Sequence, residues 1–93
     1  MNSRQITSRT LEFAHRASFA LSLLEPRDRD AVEHLFAKLA QEGIPADASL
    51  LYGRRYVLRV GPVLRVIVEE SQEGNLTIVD IFSHAGAATS LAA

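Results

Sequence analysis

Residues 56–83 read YVLRVGPVLRVIVEESQEGNLTIVDIFS, and apolar side chains recur at nearly every second position of this stretch. A period of two is typical of β-strands that bury one face. The alternation is interrupted by Gly61-Pro62 and by segment 71–75 with its Gly74, both of which are typical turn sequences. Because short turns join antiparallel neighbours, the stretch predicts a three-stranded antiparallel meander with strands at 56–60, 63–70 and 76–83.

Parity assigns each strand residue to one face of the predicted sheet, since successive side chains point to opposite sides. The face expected to pack against the rest of the chain is nearly all apolar, with Tyr56, Leu58, Val60, Leu64, Val66, Val68, Thr77, Val79 and Ile81. The opposite face is mixed, with Val57, Arg59, Arg65, Ile67, Glu69, Asp80, Phe82 and His84. Solvated sheet faces are normally mixed. This one also brings two arginines and a histidine together.

The sequence before the meander has helical periodicity. One apolar stripe at i, i+3, i+4 and i+7 consists of Ala17, Ala20, Leu21 and Leu24, and a second consists of Val32, Leu35, Phe36 and Leu39. Pro26 ends the first helix and suits the first turn of the second, which Gly43 is expected to cap. Residues 10–13 alternate like a short strand, and the segment from Ile44 to Ser49, or as far as Gly53, is interpreted as a connection.

These segments predict one α+β domain: a short N-terminal strand, a two-helix hairpin and a three-stranded antiparallel meander packed on the helices. A length of 93 residues suits a single hydrophobic core, which we expect within residues 10–84. The alanine-rich tail 85–93 offers little to pack, so it is predicted to be frayed or weakly helical.

Composition restricts the possible functions. Hydrophobic residues make up 47% of the chain and charged residues 23%, which argues against intrinsic disorder. The absence of cysteine excludes disulfides and thiolate metal sites and predicts a cytoplasmic protein. Residues 1–9 are polar and no apolar stretch is long enough to span a bilayer, so we expect no export or membrane segment. Three dispersed histidines and the lack of a glycine-rich phosphate loop predict neither a metal nor a cofactor.

Charge is balanced overall but unevenly placed. The formal net charge of −1 counts mildly against a broad RNA-binding surface. Four arginines nevertheless fall within one short stretch, at Arg54, Arg55, Arg59 and Arg65. The planar guanidinium of arginine is suited to phosphate or carboxylate.

The order and spacing of these segments resemble the RelE/ParE superfamily, the toxins of bacterial type II toxin–antitoxin pairs, over roughly residues 10–84. LLEPRDR at 23–29 looks like the family's Leu-Pro hairpin between the helices. YVLRVG at 56–61 looks like the family's second strand and glycine turn, and LRVIV at 64–68 looks like its Tyr-Arg-Val-Ile-Tyr strand. LTIVDI at 76–81, followed by His84, looks like its last strand.

The resemblance implies a toxin that a cognate antitoxin neutralises by wrapping it. In catalytic RelE-like members, a basic sheet face cleaves messenger RNA on the ribosome without a metal. Arg65 falls where such members place an arginine that stabilises the transition state, and Arg59 falls at a basic position of the second strand. His84 falls where many have arginine or histidine, so we expect it to transfer protons. Arg54 and Arg55 are candidates for RNA or, preferably, antitoxin contact.

The sequence also departs from the catalytic pattern. Val57 replaces a second expected basic residue, no lysine lies in the sheet region, and a short tail stands where the family has a helix with a tyrosine. These departures fit two alternatives: a non-catalytic ParE-like toxin that binds DNA gyrase, or a degenerate member that binds only its antitoxin. In the plainest interpretation, Arg59 and Arg65 pair with Glu69 and Asp80 on a solvated face, and His84 is a surface histidine.

Three further side-chain placements are predicted from the helices. His15 and His34 are expected on helix surfaces. Phe19 and Leu23 lie i and i+4 off the stripe of the first helix, so they either form an exposed patch for a partner or widen the buried face. Of these two placements we favour the wider buried face.

Overall fold

The computed structural model describes residues 10–83 of the chain. His84 and the tail 85–93 lie outside the described residues, so the expectations for them stay predictions. The elements are β1 (Leu11–Phe13), α1 (His15–Leu23), α2 (Pro26–Glu42), β2 (Ser49–Tyr52), β3 (Arg55–Val60), β4 (Leu64–Glu70) and β5 (Leu76–Ser83). The predicted strand, helix hairpin and meander are confirmed.

The strands form one five-stranded sheet in the order β1-β5-β4-β3-β2. β1 runs parallel to β5, and the other neighbours are antiparallel. The edge strand β2 lies in the segment that was predicted to be a connection, and that prediction is wrong. β2 has only four residues, all of them exposed, and it therefore carries no alternation that a sequence pattern would detect.

The helix hairpin forms where the sequence places its stops. α2 begins with Pro26, carries Asp28 in its first turn and ends at Glu42, with Gly43 as its C-cap. Gly43 has a φ of 80°, and its N–H donates to the Leu39 carbonyl at 2.9 Å, so the predicted C-cap is confirmed. Arg29 of α2 reaches back to the end of α1, where its Nη2 lies 3.4 Å from the Leu21 oxygen and 3.3 Å from the Ser22 oxygen.

One hydrophobic cluster lies between the helices and the sheet. Its buried members are Ala17, Val32, Phe36, Leu39, Leu58, Val60, Leu64, Val66, Val68, Leu76, Ile78 and Ile81. Burying a side chain the size of leucine or valine contributes about 1.5–3 kcal/mol. This cluster fixes one face of the sheet against the helices, and the opposite face is here called the outer face.

A β-bulge in β5 changes which residues face the core. Ile67 pairs with Asp80 but the next residue, Val68, pairs with Ile78, so Val79 is an extra residue in the ladder. The alternation before the bulge is therefore inverted. Leu76 and Ile78 are buried, and the prediction that Thr77 and Val79 face the core is wrong.

Phe19 and Leu23 do not widen the buried face. Their exposed fractions are 66% and 68%, so the favoured prediction for them is wrong. The helix geometry gives the reason: Phe19 follows the fully buried Ala17 by two residues, which turns it by about 200° around the axis, and Leu23 lies one turn further on the same side. α1 thus presents an exposed apolar pair.

No helix within residues 10–83 is both long and apolar enough to cross a membrane.

Candidate functional site

The outer face is organised in rows of residues that lie opposite one another on β3, β4 and β5. The register gives three rows: Arg55–Glu69–Thr77, Val57–Ile67–Asp80 and Arg59–Arg65–Phe82. Side chains directly opposite on antiparallel strands have Cβ atoms about 5 Å apart. Asp80 and Phe82 lie two residues apart in β5, beyond the bulge at Val79, so both are on the outer face.

Arg59 and Arg65 are direct cross-strand partners. Arg59 is exposed, whereas Arg65 is half-buried and its Nη1 donates to the Leu64 carbonyl at 2.9 Å. Within residues 10–83, neither guanidinium forms an ion pair with a carboxylate. Like charges placed directly opposite destabilise a sheet, so the sequence keeps this pair at a cost in stability.

The two acidic residues on the outer face are engaged by other arginines. Glu69 Oε1 lies 3.1 Å from Arg55 Nε. Asp80 Oδ2 lies 3.7 Å from Arg16 Nη1 of α1, and Asp80 Oδ1 accepts the Ile81 N–H at 2.8 Å. The interpretation in which Glu69 and Asp80 neutralise Arg59 and Arg65 is therefore wrong. The Arg16–Asp80 pair could not be predicted, because Arg16 lies on a different element and nothing in the sequence links it to Asp80.

Arg54 and Arg55 differ in the contacts that their side chains make. Arg55 pairs with Glu69, its Nη1 lies 3.2 Å from Tyr52 Oη, and its guanidinium lies 5.7 Å from the centre of the Tyr52 ring. Arg54 is exposed and makes one long contact, 3.5 Å from Nη1 to the Ser71 oxygen. Four residues along a strand separate Arg55 from Arg59, which is about 13 Å. The structure therefore brings Arg59 and Arg65 together but not Arg55.

A cavity of about 280 Å³ lies where the edge of β3 extends past β2 and faces the end of α2. Its wall carries two cations and two carboxylates, Lys38, Arg59, Glu42 and Asp47, around an apolar floor that includes Leu39. The sequence analysis assigned no role to Lys38, Glu42 or Asp47, since nothing in their spacing links them to β3. Because its charges are mixed, this cavity has no preference for anions. We therefore place the candidate site at the row Arg59–Arg65–Phe82, here called the arginine row.

The remaining titratable residues of the described part of the chain do not form a metal site. His15 and His34 lie exposed on α1 and α2, as predicted. Among residues 10–83, no three histidine, aspartate or glutamate side chains are grouped as metal ligands. The chemistry of the described outer face is therefore that of two guanidiniums beside an aromatic ring, Phe82, which is 37% exposed.

The chain matches known proteins in structure but not in sequence. No protein-family model matches the chain, and no curated protein matches it. Several solved structures do match it. A chain of the RelBE2 toxin–antitoxin complex from Mycobacterium tuberculosis matches with a TM-score of 0.71 and 22% identity, covering 89% of this chain and 99% of that one.

Two further structures agree. The isolated RelE toxin of E. coli matches with a TM-score of 0.73 and 12% identity, over 90% of this chain and 99% of that one. A chain of the E. coli DinJ-YafQ toxin–antitoxin complex matches with a TM-score of 0.70 and 19% identity, over 85% of this chain and 96% of that one. The chain has the RelE toxin fold. In this RelE-like fold, the arginine row crosses β3, β4 and β5 on the outer face.

Proposed function

We propose that this protein is the toxin of a toxin–antitoxin pair and that it inhibits translation by cleaving messenger RNA on the ribosome. The observation that carries the proposal is the Arg59–Arg65 pair, two opposed guanidiniums without a carboxylate partner in the described part of the chain. A sheet tolerates opposed like charges when a bound anion offsets them. The similar solved proteins are toxins, which supports the toxin role. The choice of RNA phosphate as the anion rests on the resemblance to catalytic RelE-like toxins.

The two arginines have an electrostatic role in the proposed reaction. RNA cleavage by the 2′-hydroxyl needs a base for its proton, cations for the charge on the phosphorane and an acid for the leaving oxygen. Arginine does not give up its proton, so Arg59 and Arg65 hold the phosphate and its developing charge. Proton transfer is assigned to His84, which follows Ser83 in the chain; Ser83 pairs with Leu64, the neighbour of Arg65.

A cognate antitoxin is the proposed protein partner. Within residues 10–83, large apolar side chains are exposed on α1, at Phe19 and Leu23, and on the edge strand β2, at Leu50, Leu51 and Tyr52. Exposed apolar surface of this kind is typical of sites for protein partners. Of the three similar structures described above, two are toxin–antitoxin complexes. Arg54, which is exposed beside β2, is assigned to antitoxin contact, whereas Arg55 is already occupied by Glu69 and Tyr52.

One observation favours a second candidate, a toxin that binds a protein target such as DNA gyrase and does no chemistry. The middle row of the outer face is Val57–Ile67–Asp80, so an apolar strip and an acid adjoin the arginines where a nuclease would extend its cationic surface. The formal net charge of −1 points the same way.

Controlled expression in bacteria separates these functions. The wild type, Arg65→Ala and the control Arg27→Ala, an exposed arginine of α2, are induced while growth and the integrity of a translated messenger RNA are followed. The proposal predicts growth arrest with cleaved transcripts for the wild type and for Arg27→Ala, and neither effect for Arg65→Ala. Growth arrest with intact transcripts in the wild type would contradict the nuclease proposal and support the second candidate, a toxin that binds a protein target.

A further inference from the structure

The cavity between the end of α2 and the edge of β3 is lined by four charged side chains that have no partner in the described part of the chain. Lys38 and Glu42 belong to α2, Asp47 to the loop that follows it, and Arg59 to β3. Within residues 10–83, none of the four takes part in an ion pair or a side-chain hydrogen bond. Two cations and two carboxylates thus line one cavity without neutralising one another.

The local geometry explains why these charges stay unpaired. Lys38 and Glu42 are spaced i and i+4 on the helix, but with the lysine first, which is the weaker order for a helical ion pair. Arg59 lies on a part of β3 that β2 does not reach, because the pairing of the two strands ends at Val57. The β3 backbone at Arg59 therefore has a neighbouring strand, β4, on one side only. A ligand can approach it from the other side.

The size and the floor of the cavity restrict what it can hold. The floor is apolar and consists of Leu35, Leu39, Val57 and Leu58. The cavity measures about 280 Å³. Since one water takes up roughly 30 Å³, it has room for a molecule of about nine non-hydrogen atoms, which is the size of leucine. A matching ligand carries a negative charge, a positive charge and an apolar group within that size.

We infer that this cavity is a binding site for a free α-amino acid with an apolar side chain. Lys38 and Arg59 hold its carboxylate, Glu42 and Asp47 hold its ammonium group, and the side chain lies on the apolar floor. The C-terminal end of α2 adds partial negative charge beside Glu42, which favours the ammonium group there. A simple anion would meet the two carboxylates and a simple cation the two positive side chains, so a zwitterion is the ligand that the cavity favours.

Arg59 connects this site with the arginine row, because it lines the cavity and also lies directly opposite Arg65. A carboxylate bound to Arg59 competes with a phosphate for the same guanidinium. A bound amino acid is therefore expected to slow messenger RNA cleavage. This consequence rests on the proposed function, whereas the binding site itself does not.

The test is isothermal titration calorimetry of the full chain with L-leucine and three analogues, each of which lacks one recognised group. N-acetyl-leucine has no ammonium group, leucinamide has no carboxylate, and glycine has no apolar side chain. Leucine is expected to bind saturably, with a dissociation constant of about 1 mM or below. Each analogue should bind at least about tenfold more weakly. The absence of saturable leucine binding, or equal binding of N-acetyl-leucine or leucinamide, would overturn the inference.

Variants assign the binding to this cavity. Lys38→Met keeps the apolar stem and Glu42→Gln keeps the shape, and each is expected to weaken leucine binding about tenfold through the loss of one charged contact. The matched control is Glu33→Gln, the same substitution at an exposed position of α2 that does not line the cavity. It should bind leucine like the wild type. Wild-type affinity in both Lys38→Met and Glu42→Gln would refute the site. Circular dichroism establishes that each variant is folded before it is measured.

Failure of this inference is distinguishable from failure of the proposed function. If transcripts are cleaved in cells but purified protein does not bind leucine, the amino-acid site alone falls. If leucine binds with the selectivity described but transcripts stay intact, the proposed function falls and the site stands.

The link through Arg59 has its own measurement. Saturating leucine should slow transcript cleavage by the wild type but not by Lys38→Met, which is measured in the same translation mixture. Equal cleavage by the wild type with and without leucine would refute the link.

Discussion

Arg59 and Arg65 face each other directly across β3 and β4, and the carboxylates of their face are held by other arginines, Glu69 by Arg55 and Asp80 by Arg16. The arrangement is electrostatically unfavourable in the free protein. It becomes favourable when an anion lies between the guanidiniums, so the same two side chains that weaken the sheet are suited to hold a phosphate.

Removing one of these charges should stabilise the protein while it destroys function. Arg59→Gln relieves the repulsion with Arg65, and no hydrogen bond or ion pair of the Arg59 side chain is seen within residues 10–83. The free energy of unfolding is expected to rise by about 0.5 kcal/mol in urea unfolding at low salt. Because salt screens the repulsion, the gain should vanish in about 1 M sodium chloride. A loss of stability at low salt would show that Arg59 makes a structural contact.

The ion pair between Arg55 and Glu69 should contribute little to stability. Both side chains are partly exposed, 35% and 47%, so a double-mutant cycle with Arg55→Met and Glu69→Gln is expected to give a coupling of about 0.5 kcal/mol. Transcript cleavage should survive Arg55→Met, because Arg55 lies two rows away from Arg65. Loss of cleavage in that variant, with the fold intact, would require the site to be extended along β3.

Arg29 is expected to hold the helix hairpin together. Its guanidinium reaches the Leu21 and Ser22 carbonyls at the end of α1, where helix carbonyls lack partners in their own helix. Arg29→Met keeps the apolar stem but removes these donors, so thermal unfolding should show a loss of about 1–2 kcal/mol. Arg27→Met, at an exposed position of the same helix, is the matched control and should unfold like the wild type. Equal stability of the two variants would contradict a capping role for Arg29.

The same substitution, leucine to alanine, can be compared at a core position, Leu39, and at an exposed position of α1, Leu23. Leu39 is fully buried, and Leu39→Ala should lower the free energy of unfolding by about 2–5 kcal/mol. Leu23 is 68% exposed, so Leu23→Ala should change it by no more than about 0.5 kcal/mol. Urea unfolding measures both. A large loss in Leu23→Ala would place this side chain in a packed environment and restore the prediction that it widens the core.

The helices and the meander were predictable because their signals are local. Apolar periodicity, Pro26 and Gly43 set the hairpin, and two turn sequences set the order of β3, β4 and β5. Two features could not be predicted because they have no local signal in the sequence. β2 is too short and too exposed to show a pattern, and the bulge at Val79 depends on pairing with β4 rather than on the sequence of β5.

The candidate site was predictable in part. Parity alone placed Arg59, Arg65, Asp80 and Phe82 on one face, and the register agrees. Parity gave no information about partners, so Glu69 and Asp80 were assigned to the wrong arginines.

The central claim is tested most directly with purified protein and ribosomes translating a defined messenger RNA, followed by mapping of new RNA ends by primer extension. The wild type is compared with Arg65→Ala, the double variant Arg59→Gln/Arg65→Gln and the control Arg27→Ala. We predict new ends within the translated region for the wild type and for Arg27→Ala, and none for either arginine-row variant. An intact message with folded wild-type protein, or equal cleavage by Arg65→Ala, would contradict the claim that the arginine row cleaves RNA.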